Sequence, residues 1–240
     1  SYLMITKDKA TLYAEKQKLT PEVSDYLKLH NIEVADYIAV YKDVEKLSRE
    51  SYLAADFSLV NYSLINKVSC AVRNTADFVY NLKCIKNDVE TENIKNAYIK
   101  ENIALTKAFY EIYHSENIDE CDVREIIEKH REASKNYYSP SFETIAAFGE
   151  NAAMMHYNPQ KENCSKIGKN GMLLIDTGGQ YFEGTTDTTR TLVLGEISEE
   201  EKENLTLVLK GHIALATAVF PNGTRCSEID SLARMPLWKK

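Results

Sequence analysis

The sequence predicts a mixed α/β protein whose two parts are built differently. Glycine marks the division: all nine glycines lie at Gly149 or later, although average usage of about 7% would place about ten before that point. The first 85 or so residues consist of short apolar segments separated by turn residues. Long amphipathic helices and apolar strands follow. We therefore expect a small α/β unit over 1–85 and a second domain over 86–240.

Composition restricts the class of protein. Hydrophobic residues make up 44% and charged residues 27% of the 240 residues, which is typical of a globular chain. The longest largely apolar segment, Ile213–Phe220, has eight residues, whereas a membrane-spanning helix needs about 20. The net charge of 29 − 36 = −7 argues against nucleic acid or anionic lipid as a partner. We expect a cytoplasmic protein with no membrane segment.

Cysteine usage and the chain ends add two further expectations. The five cysteines are an odd number, are widely spread and form no Cys-x-x-Cys pair, so we expect reduced thiols and no disulfide framework or zinc knuckle. The segment Ser1–Met4 lacks the basic residues of a signal peptide. The last residues, Trp238–Lys240, directly follow a predicted helix, and we expect a piece of a longer protein.

Hairpin and helix signals are clear in the first part. Tyr2–Ile5 and Ala10–Tyr13 flank a polar turn and predict a β-hairpin. Thr20 followed by Pro21 predicts a helix start, and this helix is expected to end near His30. No catalytic motif is visible in this part.

Three longer helices are predicted in the second part. One begins near Asp88, one covers about Asp122–Lys135, and one begins at Ser198, where Glu201 completes a capping box. The predicted strands are Thr144–Ala147, Ala153–Tyr157, Met172–Asp176 and a hairpin around Glu183-Gly184.

Two aspartates in the Leu173–Thr191 segment carry the chemical signal. Asp176 ends an apolar run, and Asp187 follows eleven residues later in a threonine-rich strand. If the turn centres on Phe182-Glu183, Asp187 faces Gly178 and lies diagonally from Asp176 on the same face, with β-carbons roughly 7–8 Å apart. Two carboxylates this close repel each other unless one binds a proton or a cation.

Carboxylate oxygens favour hard cations such as Mn or Mg. The hydroxyls of Thr177, Thr188 and Thr189 are candidates for hydrogen bonds that orient these carboxylates. The residues alone leave an alternative open, in which Asp176 caps a turn and Asp187 is a solvated strand residue.

Several motifs resemble one family. Gly184–Thr191 is similar to the metal-binding hairpin of the creatinase, prolidase and methionine aminopeptidase superfamily, the pita-bread metallopeptidases, and most closely to the long, three-domain aminopeptidase P type. The resemblance covers residues from about 80 to 240. The other segments that share it are Val89–Leu105, Ser141–Ile145, Asn151–Pro159, Leu209–Leu215 and Val219–Thr224.

The resemblance implies a fold, a site and a reaction. It implies that 1–85 is the later portion of a non-catalytic middle domain and that 86–240 is the first half of the pita-bread domain. Asp176 and Asp187 are implied ligands of two divalent metal ions, commonly Mn(II) with Zn or Co as alternatives, and Asp187 is implied to bridge them. A metal-held hydroxide would then release the residue that precedes proline at the N-terminus of a peptide. A homodimer is also implied.

His156 is the implied catalytic residue, which would hydrogen-bond the substrate and assist proton movement. Without the motif, a histidine between Met155 and Tyr157 is more often a core residue than a catalytic one.

The sequence departs from the family pattern in one respect. The family's site uses two Asp, one His and two Glu, and only the two aspartates match a motif here. His212 lies in the apolar stripe of a predicted helix and is expected to be a packing residue. Metal binding by these residues alone should be weak or absent. The alternatives are therefore an inactive fragment or interaction module with the same half-fold, and a prolidase-type dipeptidase.

Overall fold

The computed structural model describes residues 1–240, which form two compact units. The first unit comprises Ser1–Lys86 and the second Asn87–Lys240. None of the helices is both long enough and apolar enough to cross a lipid bilayer.

The first unit contains five short strands and four short helices. They are β1 (Tyr2–Ile5), β2 (Ala10–Ala14), α1 (Pro21–Leu29), β3 (Ile32–Asp36), α2 (Ala39–Glu45), β4 (Tyr52–Ala55), α3 (Tyr62–Ile65), β5 (Ala71–Asn74) and α4 (Phe78–Cys84). Strand β2 pairs with β1 in antiparallel and with β3 in parallel fashion, and β4 and β5 form a separate parallel pair.

The sequence signals in this unit are confirmed. The β1–β2 hairpin has the expected bounds to within one residue, and helix α1 begins at Pro21. The Thr20 hydroxyl accepts a hydrogen bond from the Val23 amide at 3.3 Å, which satisfies one of the amides left free at a helix start. The core is small and forms around Tyr13, whose hydroxyl donates to the Asp43 carboxylate at 3.0 Å.

The second unit contains four longer helices and six strands. They are α5 (Asp88–His114), α6 (Glu120–Glu132), β6 (Tyr137–Pro140), β7 (Ile145–Phe148), β8 (Gly171–Thr177), β9 (Gly179–Tyr181), β10 (Gly184–Thr185), β11 (Thr188–Leu194), α7 (Glu199–Ala216) and α8 (Cys226–Trp238). Capping boxes at Asn87, Asp119 and Ser198 fix the starts of α5, α6 and α7. Helix α6 therefore begins two residues before its predicted start.

Two antiparallel three-stranded sheets carry the site. Their strand orders are β11-β8-β7 and β10-β9-β6. The core lies between the first sheet and the paired helices α5 and α6. Its buried residues are Leu105, Ala108, Ile112, Val123, Ile127, Ala146, Leu173, Ile175 and Leu194.

One predicted strand is wrong. The segment Ala153–Tyr157 forms no strand: a 3-10 turn covers Gly149–Ala153 and a further turn follows it. The amide of Met154 bonds to the carbonyl of Asn151 at 3.1 Å, and the amide of Tyr157 bonds to that of Met154 at 3.3 Å. These local bonds replace a strand ladder, and the apolar side chains of Met154 and Met155 are exposed.

A buried ion pair joins the two helices of the core. Arg131 on α6 and Glu101 on α5 are both fully buried, and the Arg131 Nε lies 3.1 Å from each Glu101 oxygen. The Tyr181 hydroxyl donates to the same carboxylate at 2.9 Å. Burial and the Glu101 carboxylate raise the pKa of Tyr181 well above its ordinary value, so the phenol remains a donor.

Helix α7 packs chiefly against α8. Gly211 is buried there, and a β-carbon at this position would lie 2.2 Å from the Ala233 carbonyl oxygen, so only glycine permits this approach. The prediction that His212 is a packing residue is wrong. It is exposed, as are Leu209 and Ile213 beside it, because the face of α7 that meets α8 is the one that carries Gly211.

Candidate metal centre

The two candidate ligands lie on one hairpin with the predicted register. Gly184 pairs with Tyr181, which leaves Phe182 and Glu183 as the two-residue turn. Further along, Thr188 pairs with Thr177 and Thr189 pairs with Asp176. The same register places Asp187 opposite Gly178, diagonally from Asp176, and side chains at alternate positions share a face.

Asp176 is oriented by its cross-strand neighbour. The hydroxyl of Thr189 donates to Asp176 Oδ1 at 2.8 Å, as expected from the sequence. The other two candidate threonines, Thr177 and Thr188, lie in the core and do not bond to either aspartate. Thr177 and Thr188 are buried, and the Thr177 hydroxyl bonds to that of Thr144 at 2.6 Å.

Asp187 is held through its backbone. The hydroxyl of Tyr98, on α5, accepts from the Asp187 amide and donates to the Asp187 carbonyl, both at 3.3 Å. The Asp187 residue is exposed, so its carboxylate is open to a ligand from solvent. Sequence reasoning did not reveal this contact, because Tyr98 lies 89 positions before Asp187.

A close backbone contact sets the shape of the hairpin between the two aspartates. The Ser141 hydroxyl donates to the Thr186 carbonyl at 3.0 Å, and the Ser141 amide donates to the Gly178 carbonyl at 3.0 Å. A β-carbon on Gly178 would lie 2.1 Å from the Thr186 oxygen and 2.3 Å from Ser141 Oγ. Glycine is therefore required at this position.

The donor chemistry of the hairpin fits a hard divalent cation. Asp176 on β8 and Asp187, one residue before β11, fall on the same side of the hairpin by its register, and Mg²⁺ and Mn²⁺ prefer carboxylate ligands.

His156 comes from another part of the chain, the loop between β7 and β8. It is exposed, so the alternative of a core histidine is wrong. Its backbone is left-handed, with φ of 58°, which is uncommon for a residue other than glycine. No hydrogen bond connects His156 to either aspartate.

A second group of ligand-type atoms lies at the start of α6. The Asp119 carboxylate and the thiols of Cys121 and Cys164 lie within 4.8 Å of one another. The Asp119 carboxylate already accepts the Asp122 amide at 3.0 Å as a helix cap. Burial and the neighbouring Cys164 raise the pKa of the Cys121 thiol to about 11. The hydrogen bond from the Asp122 amide shows that Asp119 serves as the cap of helix α6.

Two known protein families match the chain. The pattern of metallopeptidase family M24 matches residues 92–240, and that of the creatinase/prolidase N-terminal domain matches residues 1–90. The chain belongs to metallopeptidase family M24.

Individual relatives agree with this assignment. Over the whole chain, 37% of residues are identical to a probable Xaa-Pro aminopeptidase P of Sordaria macrospora, of which the chain covers 42%. The chain superposes on the crystal structure of X-prolyl aminopeptidase from Caenorhabditis elegans with a TM-score of 0.89 and 29% sequence identity. The superposition covers 99% of this chain and 40% of that protein, which is described as a cytosolic enzyme with a di-nuclear active site.

Prolidase from Pyrococcus horikoshii superposes with a TM-score of 0.76 at 26% identity, over 99% of this chain and 67% of that one. These likenesses confirm the mixed α/β class and the resemblance to pita-bread peptidases. The chain spans about two fifths of the length of the aminopeptidase relatives that it matches.

Proposed function

We propose that this chain is part of a metallo-aminopeptidase that releases an N-terminal residue preceding proline. The observation that carries the proposal is the β8–β11 hairpin, on which Asp176 and Asp187 occupy one face in a defined register. Membership of family M24 and the named activity of the Sordaria and Caenorhabditis proteins support it.

In this proposal Asp176 and Asp187 would hold divalent metal ions through their carboxylate oxygens. Bound ions of this kind activate water as a nucleophile and polarise a carbonyl. Thr189 keeps Asp176 in orientation through the 2.8 Å hydrogen bond to Oδ1, and Tyr98 fixes the backbone of Asp187. His156, exposed on its loop, is the group that hydrogen-bonds the peptide and carries a proton at its imidazole.

The two units have different roles in this proposal. Residues 1–85 form the later portion of a non-catalytic domain, and 86–240 form the first half of the catalytic domain. The matches of the N-terminal domain pattern to 1–90 and of the M24 pattern to 92–240 support this division.

The finer proposals are Mn(II) as the metal, a cytoplasmic location and a homodimer. The oxygen donors at Asp176 and Asp187 support a hard ion such as Mn(II), and the cytosolic Caenorhabditis enzyme supports the location. The dimer follows from the family resemblance alone. Light scattering of the purified polypeptide tests it, and a monomer at all concentrations contradicts it.

The activity is tested with peptides. The polypeptide that carries residues 1–240 is treated with chelator, reloaded with Mn(II), and incubated with the tripeptide Ala-Pro-Ala and the dipeptide Ala-Pro. Release of alanine from the tripeptide supports the proposal, and preference for the dipeptide supports the prolidase alternative. Absence of cleavage in a polypeptide whose mass is near 27.3 kDa favours the inactive fragment or interaction module.

A further inference from the structure

A fully buried carboxylate outside the metal hairpin is unusually well satisfied. Glu120, the first residue of α6, is 0% exposed. Four donors surround its two oxygens. They are the Phe148 amide (2.8 Å) and Asn151 Nδ2 (2.9 Å) on Oε1, and the Tyr157 hydroxyl (2.7 Å) and Ser165 amide (2.8 Å) on Oε2. A buried charge of this kind persists only when its hydrogen bonds are complete.

These four donors all belong to one segment, which we call the histidine loop and define as Phe148–Ser165. Two of them are the backbone amides at its two ends, so one carboxylate closes the base of the loop. The Glu120 amide also donates to the Ser165 carbonyl at 3.1 Å. His156 lies eight residues after Phe148 and nine before Ser165.

The other two donors lie inside the loop. Asn151 donates to Glu120 and also to the Ser165 hydroxyl at 2.9 Å. Tyr157 directly follows His156 in the chain. Burial and the Glu120 carboxylate raise the pKa of Tyr157 to about 12, so its hydroxyl remains a hydrogen-bond donor at neutral pH.

His156 needs this support because of its backbone. Its left-handed φ of 58° costs free energy in a residue with a β-carbon, and such a conformation persists only where the surrounding structure imposes it. Loop segments without such anchors open readily. The Glu120 carboxylate binds Tyr157 and both ends of the loop, so it can impose the left-handed conformation of His156.

We propose that Glu120 is a positioning residue, whose carboxylate closes the base of the histidine loop and fixes the backbone from which His156 acts. The inference rests on the function proposed above for His156. It adds a residue that contacts neither metal ligand and that lies on a helix of the core, 36 positions before the histidine.

The variant Glu120→Gln tests the anchoring with little change in volume. A glutamine side chain has one acceptor oxygen and one amide donor group. The glutamine NH2 group can donate to the Tyr157 hydroxyl, because that hydroxyl can act as an acceptor. The NH2 group cannot accept the hydrogen bond from the Ser165 amide. At least one end of the loop is therefore left without its bond, and an unsatisfied buried donor is costly.

Amide hydrogen exchange measures this effect without any substrate or metal. In Glu120→Gln, exchange at Phe148 and Ser165 should accelerate by at least about tenfold relative to the core helices. Glu125→Gln, an exposed acid on the same helix, should leave exchange unchanged. Glu101→Gln, a buried acid bonded to Arg131, should loosen the core without selecting the loop. Unchanged loop exchange in Glu120→Gln overturns the inference.

Kinetics then separate this inference from the proposed function. Glu120→Gln should lower kcat on Ala-Pro-Ala by about 10–100-fold, but should add less than about threefold in a His156→Asn background, because both changes remove the same contribution. A full additional loss in that background means that Glu120 acts by another route, which overturns the inference. Normal turnover of His156→Asn alone overturns the role of His156, and with it the catalytic part of this inference. Faster exchange in Glu120→Gln would then show only that Glu120 anchors the loop.

Discussion

The hydroxyl of Tyr98, on helix α5, contacts both the amide nitrogen and the carbonyl oxygen of Asp187 at 3.3 Å. One side chain of the core helix thus fixes the residue just before β11 that we propose as a metal ligand. The carboxylate of Asp187 is left free for a cation, because the backbone makes these bonds.

The first prediction concerns that carboxylate. In the complete enzyme, Asp187→Asn should abolish Mn(II) binding at the hairpin and peptide turnover while it preserves the fold, since the residue is exposed and exposed substitutions change stability little. Electron paramagnetic resonance of added Mn(II) measures the binding. Glu196→Gln, an exposed acid after the same strand, is the control and should bind normally. Near-normal turnover of Asp187→Asn rules out its role as a ligand.

The second prediction concerns His156. Asparagine tolerates the left-handed backbone better than most residues, so His156→Asn removes the imidazole with little added strain. Turnover should fall by roughly 10²–10⁴-fold, and the free energy of unfolding should change by less than about 0.5 kcal/mol. Met155→Ala, at a side chain that is 92% exposed, is the matched control. A destabilised but fully active His156→Asn contradicts the prediction.

The third prediction concerns the buried pair of Glu101 and Arg131. Arg131→Met should lower the free energy of unfolding of the second unit by about 3–5 kcal/mol, because it leaves an unpaired charge in the core. Glu101→Gln combined with Arg131→Met should recover part of this loss, since glutamine still accepts the Tyr181 hydroxyl. Urea titration, followed by amide exchange in α5 and α6, measures both. A loss below about 1 kcal/mol in the single variant contradicts the assignment.

The fourth prediction concerns the glycine between the two aspartates. Gly178→Ala should destabilise the second unit by about 1–3 kcal/mol and should also weaken Mn(II) binding, because the added carbon displaces the Thr186 carbonyl. Gly223→Ala provides the comparison: its φ of +90° makes it strained, but nothing lies within 4 Å. It should cost stability and leave metal binding unchanged. Equal metal binding in both variants argues against a shape requirement at Gly178.

The fifth prediction concerns pH. The Lys100 ammonium, which is hydrogen-bonded to Glu183, holds the pKa of that carboxyl below its ordinary value. A carboxyl whose pKa is lowered by folding stabilises the fold above its unfolded pKa of about 4.3, and this contribution is lost as pH falls through the folded value.

Glu183→Gln should therefore destabilise the second unit at pH 7, and its difference from the parent protein should be smaller at pH 4, below the unfolded pKa of about 4.3. Thermal unfolding at the two pH values measures the difference. A difference that persists undiminished at low pH shows that the Glu183 charge is not its cause.

Local signals allowed much of the fold to be predicted from the sequence. The turn at Phe182-Glu183 and the facing positions of Asp176 and Thr189 follow from strand alternation alone. The prediction of a strand over 153–157 was wrong. Its apolar residues are typical of a strand, but the segment forms turns. The side chains of Asn151 and Tyr157 bond instead to Glu120, a residue too far along the chain for any local pattern to reveal.

Buried charge was the other feature that periodicity missed. Arg131 stands among charged residues near the end of α6, and sequence alone favours solvent exposure for it. Its partner Glu101 lies 30 positions away, and Tyr181, which donates to the same carboxylate, lies 50 positions away, so only the folded chain brings the three together. The free side chain of Asp187 and the exposure of His156 likewise follow from tertiary packing.

The two-residue turn at Phe182-Glu183 has a consequence for variation of this protein. If the loop keeps two residues, inserting or deleting a single residue beside it shifts the pairing by one position, and Asp187 and Thr189 then point to the opposite side of the sheet from Asp176. Changes in steps of two preserve the facing, whereas odd steps separate the aspartates without altering either of them. A change in the number of paired residues beside this turn therefore decides whether the two aspartates share one side of the strands.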